Sequence, residues 1–324
     1  MKKTDVFQNL INKKIGELHF DKSPRELYEP MEYALTMGGK RIRPLLTLLA
    51  CDMFGEIAEK AIPAALAIEV FHNFTLVHDD IMDVAPLRRG KETVYKKWNP
   101  NIGILSGDAM LAKAFEILLD SDKTQLKDLV QLLSKVAIEV CEGQQLDMNF
   151  EHIEQVSIPE YLEMIRLKTA VLVGSALLAG AIVANASAKD RDAIYKFGEN
   201  LGIAFQLKDD ILDVFGDEDK FGKKKGGDIV AKKKTYLYLK AHELAKGKTL
   251  NTLIYYFVNS TFDEEAKISE ISAIYKQLKV KEAAEKQMNV YWQKALVHFK
   301  KIDLPEKNKK QLFEIAEKLM VREF

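Results

Sequence analysis

Apolar residues recur at three- and four-residue intervals along nearly the whole chain, the period of a helix with one buried face. Leu45–Met53, Ala61–Val77, Gly107–Leu119 and Leu126–Cys141 are the clearest such stretches. Helix starts are marked as well. Ser23-Pro24-Arg25-Glu26 reads as a cap, a proline at the first helical position and a capping glutamate. Ser157-Ile158-Pro159-Glu160 repeats that pattern, and Ser187-Ala188-Lys189-Asp190 is a weaker version. Alternating β-branched runs with hairpin turns do not occur.

Thr169 to Ala188 is 20 residues without a charge, a length that spans a bilayer. Ala, Gly and Ser dominate it, however, and large apolar side chains are few. Gly174, Ser175 and Gly180 would let other helices approach closely, so a central buried helix is expected and no membrane span. Asp213 to Gly227, dense in Gly, Asp and Lys, reads as a loop. Nothing marks a linker, a low-complexity tract or a short repeat. The expected architecture is a single all-α domain over residues 1–324.

Composition agrees: 17 Gly and 8 Pro are few turn residues for 324 positions. Lys plus Arg and Asp plus Glu number 48 each, so no global field draws the chain to nucleic acid or an anionic membrane. Recognition of phosphate must then be local. Cys51 and Cys141 lack metal-ligand spacing and are expected to be reduced and buried. The N-terminal stretch is interrupted by Asn12, Lys13 and Lys14 and does not read as a signal peptide, which makes a cytoplasmic location the expectation.

The chemistry concentrates in Asp79-Asp80-Ile81-Met82-Asp83. On a helix Asp79 and Asp83 share a face, and Asp80 lies about 100° round. Like charges at this spacing repel unless a cation lies between them. Hard oxygen donors suit Mg²⁺, which also takes substrate phosphate oxygens. The pattern recurs at Asp209-Asp210-Ile211-Leu212-Asp213, again after apolar helical sequence. Either copy alone could be a solvated helix face; the repeat at matched context favours metal binding. Cations stand nearby in sequence: Lys40 and Arg43 after Gly38-Gly39, then Arg88 and Arg89, Lys168 beside Thr169, Lys223–Lys225 and Lys232–Lys234. They suffice for two diphosphates, one held through metal and one directly. His72, two turns before Asp79, is either a satisfied core histidine or a donor to a diphosphate.

Together with Leu87-Arg88-Arg89-Gly90, Gly143-Gln144-Gln145-Leu146-Asp147 and Phe205-Gln206-Leu207-Lys208, these motifs resemble those of the trans-polyprenyl diphosphate synthases. The resemblance runs from about Gly38 to Leu237. It implies a helical bundle around a deep central active-site cavity, usually homodimeric, with Mg²⁺, about three ions per site. It also implies roles. Lys40, Arg43, His72 and Arg89 look like the isopentenyl diphosphate site. Asp79, Asp83 and Asp209 look like metal ligands, supported by Asp80, Asp210 and Asp213. Arg88, Lys168, Thr169, Gln206, Lys223 and Lys233 look like contacts to the allylic diphosphate. Asp228-Ile229-Val230-Ala231 departs from the pattern of many relatives, which have a second Asp at the last position, and this leaves the register of Lys232–Lys234 open.

Such an enzyme ionises an allylic diphosphate, and the double bond of isopentenyl diphosphate attacks the carbocation. Phe74, five residues before Asp79, falls about 7.5 Å below the motif and Phe71 about 12 Å below it. A ring there serves either as a floor for the growing chain or as core packing. Phe74 with Thr75 next to it resembles short-chain enzymes making C15 to C20 products, geranylgeranyl synthases of the archaeal kind above all, with a farnesyl synthase as the alternative. A class I terpene cyclase or a non-catalytic partner subunit fits less well, because both aspartate motifs are complete.

Overall fold

In a computed structural model, residues 2–216, 225–258 and 263–321 are described. They are almost entirely helical. The chain divides into two compact units: Met1–Ala137 with Ser175–Tyr195 and Ile302–Phe313, and Ile138–Gly174 with Lys196–Lys301 and Glu314–Phe324.

The first unit begins with α1 (Lys3–Gly16), α2 (Arg25–Thr36) and α3 (Ile42–Met53), followed by a short 3₁₀ turn and α4 (Ile62–Met82). Pro24 itself occupies the cap position of α2 and no side chain caps it, so the cap expected from Ser23 does not form. α4 is apolar nearly all round and correspondingly buried, from Ile62 to Val77. A two-stranded ribbon, β1 (Leu87–Arg88) and β2 (Lys91–Glu92), is a small exception to the all-helical expectation. Its turn residues, Arg89 and Gly90, have φ of 54° and 76°, as the tight hairpin turn matching strand twist requires. After α5 (Val94–Lys97), Asn99 accepts a hydrogen bond from the Ile102 amide at 2.9 Å and starts α6 (Pro100–Leu118). α6 lies close on α4: a Cβ on Gly103 would come within 2.9 Å of Ile81, and one on Gly107 would overlap the His78 ring.

α7 (Lys123–His152) contains the first boundary between units. Ser157 and Glu160 form the expected capping box of α8 (Ile158–Ile165), with the Ser157 amide donating to Glu160 Oε2 at 2.8 Å. The uncharged stretch is not one helix over Thr169–Ala188. α8 passes through a π-helical turn at Arg166–Ala170 into α9 (Val171–Val183), which stops before Asn185, where φ is 52°. Gly180 allows α9 against α3: a Cβ there would overlap the Thr47 carbonyl and lie 2.8 Å from the Cys51 amide, while Thr47 Oγ1 donates to Ala176 O at 2.9 Å. The apolar windows of Ala58–Met82 and Ile158–Val183 are long enough to cross a bilayer but are 72% and 78% buried within the fold.

The second unit continues with α10 (Ala188–Phe215), α11 (Gly227–Val230), α12 (Tyr236–Leu244), α13 (Gly247–Val258), α14 (Glu264–Gln277), α15 (Val280–Lys300) and α16 (Glu306–Val321). Part of α10 and of α16 lies in the first unit. The second unit's core gathers Tyr161, Ile165, Leu207, Ile211, Leu253 and Tyr275. Cys51 is buried, and burial pushes its thiol up to about 12. Cys141, expected to be buried, is exposed on α7, on the face that also carries the exposed Ile138 and Gln145.

The Gly180 contact is with backbone, which cannot yield as a flexible side chain would. Gly180→Ala should destabilise the fold by about 1–3 kcal/mol. Gly16→Ala, whose Cβ meets nothing within 4 Å, should change stability by less than about 0.5 kcal/mol. Denaturant unfolding of the two variants checks the difference.

Candidate functional site

In the first unit the candidate side chains of the first aspartate motif lie at the C-terminal end of α4. The helix ends at Met82, so Asp83 is its C-cap and its amide donates to Asp79 O at 2.8 Å. Asp79 is half-buried and Asp83 exposed, whereas Asp80 is only 2% exposed. Arg88, on the ribbon, reaches back so that its Nε donates to Asp80 Oδ1 at 2.7 Å. Burial nevertheless outweighs this partner and raises the Asp80 carboxyl to about 6.

The cationic loop is built around the two glycines. Gly38 and Gly39 have φ of 89° and 133°, open only to glycine at low cost. The Arg89 guanidinium donates to Gly38 O and lies 2.7 Å from where a Cβ on Gly39 would stand. The next arginine in the loop has a different task. Arg41 is buried, pairs with Glu69 at 2.5 Å and donates to Leu35 O. Glu69 also accepts from Asn73 Nδ2 at 3.1 Å. Arg43 points to His72, with Nη1 3.1 Å from Nε2. Burial, then Arg43 and the neighbouring arginines, hold the His72 imidazole well below its usual range, so it is neutral. Lys40 is exposed.

Phe71 and Phe74 meet along α4 with ring centroids 5.6 Å apart and planes tilted by 50°, and Phe74 and His78 meet edge to face at 4.8 Å. Thr75 turns its hydroxyl to His72 O at 2.8 Å. One to two turns further toward the N-terminus of α4, a cavity of about 10 Å³ is lined by Ala64, Ala67 and Ile68 with residues of α6, α7 and α9. Its lining includes the buried Ser175 hydroxyl, which has no partner among the described residues.

In the second unit, Lys168 and Thr169 sit in the π turn, a local widening of the helix frequent at functional sites. Two glycines press on it. A Cβ on Gly143 of α7 would lie 2.7 Å from Lys168 Cα, and one on Gly202 of α10 would lie 2.6 Å from Ala170 Cα. Lys168 pairs with Asp147 at 2.6 Å. Thr169 Oγ1 donates to Gln206 Oε1 at 3.3 Å, and Gln206 Nε2 donates to Asp210 Oδ1 at 3.2 Å. Asp210 is 2% exposed and also accepts from the Tyr161 hydroxyl and, at 3.4 Å, the Tyr236 amide. Burial and the charge of Asp228 raise its carboxyl well above the usual range despite these donors. Asp209 is half-buried. Asp213 accepts from the Asp228 amide at 3.1 Å.

The lysine run is now ordered. Lys232 Nζ donates to Val258 O at 3.1 Å, and Lys234 Nζ to Phe150 O at 2.7 Å and to Ile153 O. Both thus tie backbone together. Lys223 lies outside the described residues. Tyr161, Asp147, Arg41 and Glu69 carry structural weight at the two sites without having had roles in the sequence reading. Asp147 closes the Gly143–Asp147 motif and Arg41 lies between Lys40 and Arg43 in sequence; the Tyr161–Asp210 contact joins positions 49 apart, which no spacing rule reaches.

Among the described residues no three His, Cys, Asp or Glu side chains converge as a ready metal site. Mg²⁺ does not require one, since it binds through one or two carboxylates together with substrate phosphates. The oxygen-only donors Asp79, Asp83 and Asp209 fit that chemistry.

The family model for polyprenyl synthetase matches residues 24–277, and the chain belongs to that family. The match begins earlier and ends later than the motifs alone indicate. A geranylgeranyl pyrophosphate synthase of Geoglobus acetivorans is 45% identical over 236 residues, which are 72% of this chain and 74% of that one. A crystal structure of a geranylgeranyl pyrophosphate synthase aligns over 100% of both chains with a TM-score of 0.94 at 45% identity. Another, from Corynebacterium glutamicum and complexed with isoprenyl diphosphate and magnesium, aligns over 98% of each chain with a TM-score of 0.87 at 27% identity.

His72 gives a pH signature. In the fold it stays unprotonated near pH 6.5, where the unfolded chain takes up a proton. Its contribution to stability is therefore lost as pH falls through about 6.5. Asp80 has the opposite sign, favouring the fold at low pH and losing that contribution as pH rises through about 6. Wild type should lose more stability than His72→Asn on acidification from pH 7.5 to 5.5, measured by denaturant unfolding. The His72 ring proton should show no titration near pH 6.5 by NMR.

Proposed function

We propose that this chain is a Mg²⁺-dependent short-chain prenyltransferase that condenses isopentenyl diphosphate with dimethylallyl, geranyl and farnesyl diphosphates and makes geranylgeranyl diphosphate. The observation that carries this reading is the state of the two aspartate motifs. All six aspartates are present, and in each motif the second is buried and held by hydrogen bonds within its own unit. A non-catalytic relative would have no reason to maintain both.

In this reading Arg88, Lys168, Thr169, Gln206, Lys223 and Lys233 bind the allylic diphosphate. Mg²⁺, three ions per active site on Asp79, Asp83 and Asp209, supplies positive charge to the departing group when bound. Arg88 and Lys168 add fixed charge where the leaving diphosphate develops its own, which lowers the barrier to breaking the C–O bond. Lys40, Arg43, His72 and Arg89 hold isopentenyl diphosphate, and neutral His72 can donate one N–H to a phosphate oxygen. Apolar side chains of α4 keep water from the carbocation. Attack by the isopentenyl double bond forms the new C–C bond, and the released diphosphate takes the departing proton. Phe74, with Phe71 behind it, stops the chain at twenty carbons. The enzyme works as a homodimer in the cytoplasm, and its residues 1–324 act as one catalytic domain.

Incubation with isopentenyl diphosphate, Mg²⁺ and each allylic primer, followed by product sizing, tests the assignment directly. Asp79→Ala or Asp209→Ala should lower kcat by at least about 100-fold, the scale on which a transition-state charge partner acts. Near-wild-type condensation by either variant would remove the basis of the proposal. Phe74→Ala should shift the product beyond twenty carbons while leaving turnover of the first condensation intact. An unchanged product would assign Phe74 to core packing alone.

A further inference from the structure

Lys267, on α14, is only 5% exposed. Its ammonium donates to the carbonyl of Val230, the last residue of α11, at 3.4 Å and lies 5.4 Å from the centre of the Phe257 ring. The next residue, Ile268, holds the other end of the same short helix. Its side chain lies 2.7 Å from where a Cβ on Gly226 would stand, at a position where φ is 74°. Consecutive residues of α14 therefore fix both ends of α11. Asp213 holds the start from the opposite direction: its carbonyl accepts from the Gly226 amide at 2.8 Å and its carboxylate from the Asp228 amide at 3.1 Å. The lysine run leaves directly from the end so fixed. The amides of Lys232 and Lys233 donate to Ile229 O at 3.1 Å and to Asp228 O at 2.9 Å, and Lys232 turns the chain at φ 56°.

Stability does not account for a lysine at this place. A buried ammonium loses its hydration, and one long hydrogen bond to a neutral carbonyl with a ring nearby returns only part of that. Burial, aided by the charge of Lys232, brings its pKa down to about 8. A methionine would fill the same volume without that cost, as buried charges replaced by apolar side chains commonly show. What the methionine would lack is a cation on the free carbonyl at the end of α11.

We propose that Lys267 is a positioning residue for the allylic diphosphate site: by holding the Val230 carbonyl it sets the course of residues 231–234 and so the placement of Lys233. This rests on the role given to Lys233 above. Lys267→Met should retain the far-UV circular dichroism of wild type and an equal or higher Tm. Its KM for the allylic diphosphate should rise about tenfold or more, the scale of one charged hydrogen bond, with KM for isopentenyl diphosphate unchanged. Hydrogen exchange of the Lys232 and Lys233 amides should quicken in the ligand-free protein, and Lys233→Ala should reproduce the allylic effect. Unchanged allylic KM, with or without faster exchange, overturns the proposal. So does a lower Tm or unfolding with both KM values moved together, which marks a structural role only. If wild type itself does not condense isoprenyl diphosphates, the functional reading fails, while the exchange measurement still reports whether Lys267 holds α11.

Discussion

Adjacent carboxylates on a helix repel, and each motif resolves that repulsion in the same way. The second aspartate is withdrawn from water and tied down, and the first is left half-exposed. Asp80 is held by Arg88 from a two-residue ribbon. Asp210 is held by Tyr161, Gln206 and the Tyr236 amide. Burial lifts both carboxyls above their ordinary range, against the pull of these donors. Much of the local architecture serves this arrangement: the ribbon and its positive-φ turn deliver Arg88, and the string from Thr169 through Gln206 reaches Asp210 from the π turn.

Helix existence was legible in the sequence because it is written in a local period, and the aspartate motifs were legible because their residues are contiguous. Features depending on distant pairs were not. The π turn at Arg166–Ala170 leaves no composition signal, and the glycines packed against it, Gly143 of α7 and Gly202 of α10, are distant in sequence. Lys232 and Lys234 reach main-chain carbonyls far away in sequence, which no local pattern shows. Arg41 lies between Lys40 and Arg43 in sequence, yet its partner Glu69 makes it part of the core. Cys141 was misjudged because an apolar helical setting does not tell which side of the helix a residue occupies.

Backbone contacts recur wherever a cation must be placed. Gly39 makes room for the Arg89 guanidinium, and Gly143 brings α7 against the main chain of Lys168. Ile268 closes on Gly226 ahead of the lysine run. A long flexible side chain loses considerable freedom when it is ordered, and fixing the main chain beneath it limits how much remains to be lost. His72 is neutral for a related reason: burial chiefly, and then the charge of the arginines that the loop and the ribbon set around it, keep the proton off.

α4 carries the proposed phosphate donor His72, the rings Phe71 and Phe74, and the carboxylate of Asp79 on one uninterrupted helix, with Asp83 at its C-cap. It therefore behaves as a ruler whose graduations cannot be respaced. One inserted or deleted residue between positions 71 and 79 would shift one group past the other by about 1.5 Å and swing it about 100° to another face. Variation in reach along this helix is consequently restricted to changing the bulk of a side chain at an existing mark. Changes in chain length can be absorbed only from Asp83 onward, where the helix has already ended.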